Sequence, residues 1–379
     1  MADHAKGPNL MAPEPDTILD ALLRDAVDQG ATDVHVRAGD MLRARVDGEL
    51  VGIGAHIFSA EDIHHFVERL REAAPGEVAP IERLRDLTLT WSVPGIGRFR
   101  TSVMKQRSTF MVLLRVVPHV VPSLHDLHIP AAFTQALTAP SGLELLAGGA
   151  RSGRSTSLAA LLSHLNDTSE RRRHIVLIEN KTRFLLKDKR CTITQRELGV
   201  DTDSIESALD AAIDHRTEII ALDRVDPHQL ESLLFAAEAG SLVIAKVDAH
   251  DVTDTLRHLV SGVPTQSQSA IRLRIAKTVR GILAHRLVAA QAGGRVLATE
   301  LFLNSPSFAE LLLDAGAVLD IREQLAKHRA DVGTHTFDQS LAELATQGVI
   351  GIEVATSLAT NPSDVRGWLR QGSPARQAR

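Results

Sequence analysis

The stretch Leu143-Glu-Leu-Leu-Ala-Gly148-Gly-Ala-Arg-Ser-Gly153-Arg154-Ser155-Thr156 constrains the fold of this chain more than any other segment. An apolar run of strand length enters a turn bracketed by glycines, and a helical pattern follows at once. Gly148, Gly153 and Ser155 meet the spacing G-x-x-x-x-G-[K]-[S/T] of a phosphate-binding loop. In such a loop, backbone N–H groups and the positive end of the helix hold phosphate oxygens. A lysine ammonium reaches the β/γ-phosphates, and a Ser/Thr hydroxyl ligates Mg²⁺. Here Arg154 stands where the motif calls for lysine. Its guanidinium keeps the charge but is longer, planar and forked, so the exchange is not conservative at a tight phosphate site. Arg151 adds bulk inside the turn. Taken alone, the segment also reads as an ordinary glycine-rich turn between a strand and a helix.

The rest of the chain narrows the class. Its 379 residues suit about two or three domains with ample core. A formal net charge of -5 gives no electrostatic footprint for nucleic acid. The single cysteine, Cys191, excludes an intrachain disulfide and a cysteine-type zinc cluster, and suits a reducing compartment. No apolar run approaches the roughly 18 to 20 residues of a membrane helix, so no direct membrane insertion is expected. The polar, proline-bearing start is not a secretory signal. A cytoplasmic location follows as the expectation.

Periodicity divides the chain. Residues 1–15 read as a disordered leader. A small α+β domain spans 16–117, with a helix over 17–29 capped by Asp16, a second helix over 58–73, and alternating strands around both. Pro118 and Pro122 mark a semi-rigid linker over 118–125. From 126 to 303, strands at 143–147, 174–179, 218–223 and 242–247 alternate with helices, as parallel βαβ units require. The region 304–370 is helical, over 307–313, 320–327, 337–347 and 352–359, and 371–379 is a polar tail. The fold class is α/β.

Several ordered motifs carry a resemblance to a known family. Ala31-Thr-Asp-Val-His-Val-Arg-Ala-Gly39 and Arg45-Val-Asp-Gly-Glu-Leu50 open the chain. Gly97-Arg98-Phe-Arg100, Gln106-Arg107, Arg115-Val-Val-Pro118 and Val121-Pro-Ser-Leu-His-Asp-Leu-His-Ile-Pro130 follow. The core adds Ile178-Glu179-Asn180, Thr194-Gln-Arg-Glu197, Ala236-Ala-Glu-Ala-Gly240 and Thr336-Phe-Asp-Gln-Ser-Leu341. In order and spacing these resemble the type II/type IV secretion ATPase superfamily, within it the type IV pilus retraction (PilT/PilU-like) branch. The resemblance implies a PAS-like N-terminal domain, a RecA-like P-loop NTPase core and a C-terminal helical subdomain. It also implies a hexameric ring, formed with itself or with a paralogous pilus ATPase, docked peripherally on an inner-membrane platform protein. ATP and Mg²⁺ are the implied cofactors.

The resemblance assigns candidate roles residue by residue. Gly148, Gly153, Arg154, Ser155 and Thr156 would hold nucleotide, Ser155 and Asp223 the metal. Glu179 would orient water, with Asp223 beside it, and Arg98, Arg100, Arg107 and Arg115 would supply charge to a neighbouring subunit's nucleotide. On residue type alone, Glu179 and Asp223 are equally strand-end carboxylates capping turns, the arginines a solvated strand face, and Gln195-Arg196-Glu197 an exposed charged loop. Departures from the family pattern fall on one site. They are Arg154 for lysine, Asn180 for aspartate, Asp223 for a glutamate longer by one methylene, and Ser241 and Asp248 for two histidines; Lys246 falls within the last of these segments. The signature of the retraction branch becomes Ser307-Phe-Ala-Glu-Leu-Leu-Leu-Asp314, without arginines. Two functions stay open: an ATP-hydrolysing motor with altered motifs, and a weakly active or inactive paralogue that joins or regulates such a ring.

Overall fold

The computed structural model describes residues 15–371 except 47, 119, 315 and 317–319. The expected leader up to residue 14 and the tail beyond 371 lie outside the described residues. The chain divides after Pro118 into two units.

In the first unit, β1 (Asp33–Arg37), β2 (Met41–Val46), β3 (Glu49–Ile57), β4 (Asp86–Val93), β5 (Gly97–Gln106) and β6 (Thr109–Val116) form an antiparallel sheet ordered β3-β2-β1-β6-β5-β4. Strict alternation gives the sheet two unlike faces. Val34, Val36, Leu42, Ala44, Phe99, Val112 and Leu114 are buried on one, under Leu19, Leu23, Ile63, Phe66 and Leu70 of helices Pro15–Asp28 and Ala60–Glu72. On the other face Arg100, Arg115, Asp33 and Arg45 are successive partners across β5, β6, β1 and β2. The first helix begins at Pro15, so position 16 lies inside it and does not precede it as a cap; proline suits a first helical turn, where its missing N–H is not needed.

The second helix has a reciprocal cap. Ser59 Oγ accepts from the Asp62 N–H at 3.1 Å, and the Asp62 carboxylate accepts from the Ser59 N–H at 2.8 Å. Ser59→Ala is expected to cost about 1 kcal/mol, read as a lower urea midpoint; an unchanged midpoint would show that water caps this helix equally well.

The second unit contains β7 (Gly142–Gly148), β8 (His174–Glu179), β9 (Thr192–Glu197), β10 (Ile219–Val225), β11 (Leu242–Val247), β12 (Val279–Ala289) and β13 (Arg295–Leu303). They form a sheet ordered β13-β12-β7-β11-β10-β8-β9, parallel except for the β12–β13 pair. Both faces of its centre are covered, which is why β7 and β11 are buried at every position and, Glu144 and Lys246 apart, carry no polar side chain and show no alternation. Leu143, Leu145 and Ala147 face one core; Leu146 faces the other, against Leu158, Leu161, Leu162 and Leu165 of helix Arg154–Thr168.

Several elements differ from the sequence expectation. Gln195-Arg196-Glu197, which also read as an exposed loop, lie on the edge strand β9. The hairpin β12–β13 and the helix Pro362–Gln371 were not foreseen. The other helices after β13 are Pro306–Leu313, Ile321–Lys327, Arg329–Val332, Phe337–Thr346 and Ile352–Leu358.

Candidate functional site

Parallel register brings the candidate residues together at the carboxyl ends of the strands, where open α/β sheets place their sites. Leu222 of β10 pairs with Ala245 of β11 and with Ile178 of β8, so Asp223, Lys246 and Glu179 each stand one residue further along. Beside β11, β7 leads into the glycine loop.

The loop is tight. Gly148 (φ 150°) admits no side chain, because a Cβ there would sit 2.4 Å from Ser152 Oγ and 2.9 Å from the His285 carbonyl oxygen. Arg151 takes φ 62°, a left-handed position, and Gly153 takes φ 98°. Gly153 then opens helix Arg154–Thr168 with no side-chain cap, so the first N–H groups of that helix are left for another acceptor. This backbone fits a phosphate group.

The side chains around it are committed to one another. Arg154, with 11 % of its side chain exposed, turns across the loop. It donates to the Val247 carbonyl at 2.5 Å and the Gly149 carbonyl at 3.3 Å, and pairs with the Asp248 carboxylate. Partial burial alone would raise Asp248, but the hydrogen bond and charge of Arg154 prevail and hold it below the usual carboxylate range. Lys246 is only 6 % exposed. Its ammonium donates to Ser155 Oγ at 2.5 Å and forms an ion pair with Asp223 Oδ1. Burial pulls the Lys246 pKa down, against the pull of the Asp223 charge. The two oxygens expected to hold Mg²⁺ therefore share a lysine ammonium. A divalent ion at about 2.0–2.1 Å from the same oxygens would overlap it, so the residues as placed fit a phosphate but not the metal.

Glu179, also buried, accepts from Gln195 Nε2 at 3.0 Å. Burial pushes its carboxyl up to about 7; the Gln195 bond opposes this and the neighbouring Asp223 charge adds to it. Glu197 is buried too, accepting from the Thr182 N–H and hydroxyl. So Gln195 and Glu197 do not belong to an exposed charged loop: one orients Glu179 and the other ties down the turn after β8. Between Ser155, Glu179, Arg183, Phe184 and Asp223 the free space is about 10 Å³, room for about one water. Thr156 is half-buried on the first turn of the helix.

The four arginines assigned to a neighbouring site all lie in the first unit. Arg98 and Arg100 stand on β5 and Arg107 in the β5–β6 turn at φ 46°. Arg115 on β6 is exposed and bonds Asp33 at 2.9 Å. Sequence reasoning gave Lys246 no place in this site, where it contacts Ser155 and Asp223. Its signal was present, since a lysine inside an apolar strand is almost never buried without a partner.

The family model "Type II/IV secretion system protein" matches residues 12–342. The type IV pilus ATPase PilU of Pseudomonas aeruginosa is 30% identical over 359 residues, covering 93% of this chain and 91% of that protein. The type IV pilus retraction ATPase PilT of the same organism is 27% identical, covering 90% and 98%. The crystal structure of the pilus retraction motor PilT with bound ADP aligns at a TM-score of 0.78 and 26% identity, over 94% of this chain and all of that one. The second unit is accordingly a RecA-like core followed by a helical part. Among the described residues no helix is long and apolar enough to cross a membrane.

Proposed function

We propose that this chain, which belongs to the type II/IV secretion system protein family, is a PilT/PilU-like ring subunit that assists or regulates type IV pilus retraction while hydrolysing ATP weakly or not at all. One observation carries this reading: the cationic side chain of the loop, Arg154, is spent on Val247 and Asp248, while Ser155 and Asp223 are spent on Lys246. Hydrolysis needs a positive clamp on the transferred phosphoryl group and a carboxylate that positions water. Glu179 keeps the second role available, oriented by Gln195. The clamp is what the arrangement withdraws.

The ring itself, a hexamer with itself or with a paralogous pilus ATPase on an inner-membrane platform protein, is part of the same proposal. Its support is the registered row Arg100–Arg115–Asp33–Arg45, a cationic face of the first unit suited to a neighbour's phosphates.

Steady-state phosphate release by the purified full chain with ATP and Mg²⁺ tests the reading. The expected turnover is below about 0.01 s⁻¹, a hundredfold under the usual enzyme range of roughly 1–10³ s⁻¹, and Glu179→Gln leaves it unchanged. Arg154→Lys alone is not expected to restore turnover, because Lys246 still holds Ser155 and Asp223. Brisk wild-type turnover that Glu179→Gln abolishes would place the chain among active retraction motors instead.

A further inference from the structure

Lys246 is the one charged side chain in β11, a central strand buried along its whole length. A buried ammonium is costly unless every donor finds a partner and a counter-charge stands close. The partners of Lys246 are particular ones. Ser155 lies in the first turn of the helix after the phosphate-binding loop, and Asp223 lies near the carboxyl end of the neighbouring strand β10. In a phosphate-loop site those two oxygens are the protein's share of the divalent metal's coordination. Here they lie 3.5 Å apart and converge on a single nitrogen.

We propose that Lys246 is a built-in cation that takes the place of the divalent metal, so that the loop binds nucleotide in its metal-free form. This rests on residues 148–156 being the nucleotide site. The chemistry follows from charge and geometry. An ammonium supplies one positive charge beside the β-phosphate position without a dissociable ion, and its three donors reach the hydroxyl, the carboxylate and one further acceptor. It cannot bridge two phosphate oxygens and a water as a six-coordinate metal does, so it anchors a nucleotide without organising its hydrolysis. Arg183, beside the same space, keeps the surroundings cationic and further disfavours a doubly charged ion. Folded this way, the site senses nucleotide phosphate but not magnesium. A subunit of this kind stays loaded or empty according to free nucleotide, independent of the metal that its catalytic relatives require.

Calorimetric titration of ATP, and separately of ADP, into the full chain in Mg²⁺ and again in EDTA tests this. The wild-type Kd is expected to agree within about twofold between the two conditions. Lys246→Ala frees Ser155 and Asp223, and its Kd is expected to become at least tenfold tighter in Mg²⁺ than in EDTA. A wild-type Kd tenfold tighter in Mg²⁺ would overturn the proposal, as would the absence of nucleotide binding in both conditions. A Lys246→Ala protein as metal-independent as the wild type would also overturn it, leaving Lys246 as no more than the counter-ion of Asp223. If that variant fails to fold, the wild-type comparison still decides. Turnover tests the inactive-subunit reading and metal dependence of binding tests this one, so either can fail alone.

Discussion

Glu144→Leu is expected to stabilise the protein by on the order of 3 kcal/mol at pH 8.5. Glu144 stands in the middle of β7, fully buried, and neither carboxyl oxygen has a hydrogen-bond partner. It shares the face of Leu146, with Phe133 and Gly281 close by. Burial pushes its carboxyl up to about 8, with the charge of Arg280 opposing only in part. A folded-state pKa above the unfolded value means that the native chain holds a proton the unfolded chain releases. Its contribution is therefore fully present below about pH 4.5 and is lost as pH rises through about 8. Glu179 and Glu300, both raised to about 7, act in the same direction. His285 and His335, pushed down to about 4 by burial, act oppositely, but only below about pH 6.5. Above that pH the histidines drop out, and the three carboxyls outweigh Lys246, whose lowered pKa acts the other way, so wild-type stability declines toward pH 8.5. Urea unfolding at pH 5.5 and 8.5 reads both effects: the leucine variant gains more at the higher pH. A variant no more stable than wild type at pH 8.5 would sink the prediction. Glu144→Gln separates charge from shape, since it cannot ionise but remains unsatisfied.

Glu300→Ala carries the opposite sign, a loss of about 3 kcal/mol or more. Glu300, on β13, lies under two helix starts. One carboxyl oxygen accepts from the Val252 N–H at 3.0 Å and the other from the Phe337 N–H at 3.3 Å. These are the first residues of helices Val252–Ser261 and Phe337–Thr346, whose opening N–H groups have no partner within the helix. Alanine would leave both donors buried and unpaired and open a cavity beside the strand. Gln keeps one acceptor oxygen, so Glu300→Gln is expected to fall between wild type and alanine. Urea midpoints give the ranking, and faster hydrogen exchange at the Val252 and Phe337 amides localises it. Equal midpoints for all three proteins would show that these helix starts find other partners.

Much of the second unit was legible because its signals are local. The strands at 174–179 and 242–247 are mostly apolar runs flanked by helical periodicity, and the structure reproduces them. β9 was less legible because Thr192–Glu197 is polar and sits at the sheet's edge, where half its groups face solvent. Its strand character comes from pairing with β8 along six residues, a contact that no pattern within the segment announces. The buried roles of Gln195 and Glu197 were hidden for the same reason. A polar side chain reads as exposed until the donor or acceptor that satisfies it is known.

The sequence alone determined the loop spacing, the Arg154 replacement and the alternation of strands with helices, because each depends on neighbours a few residues apart. It also identified the family, through motifs spread in order along the chain. Only the tertiary structure decided where the charges go. Ser155, Asp223 and Lys246 are far apart in the chain, and the side-by-side register of β7, β11 and β10 alone puts the ammonium between the hydroxyl and the carboxylate. A buried charge must find its counter-charge in space, and distance along the chain does not record which one it finds.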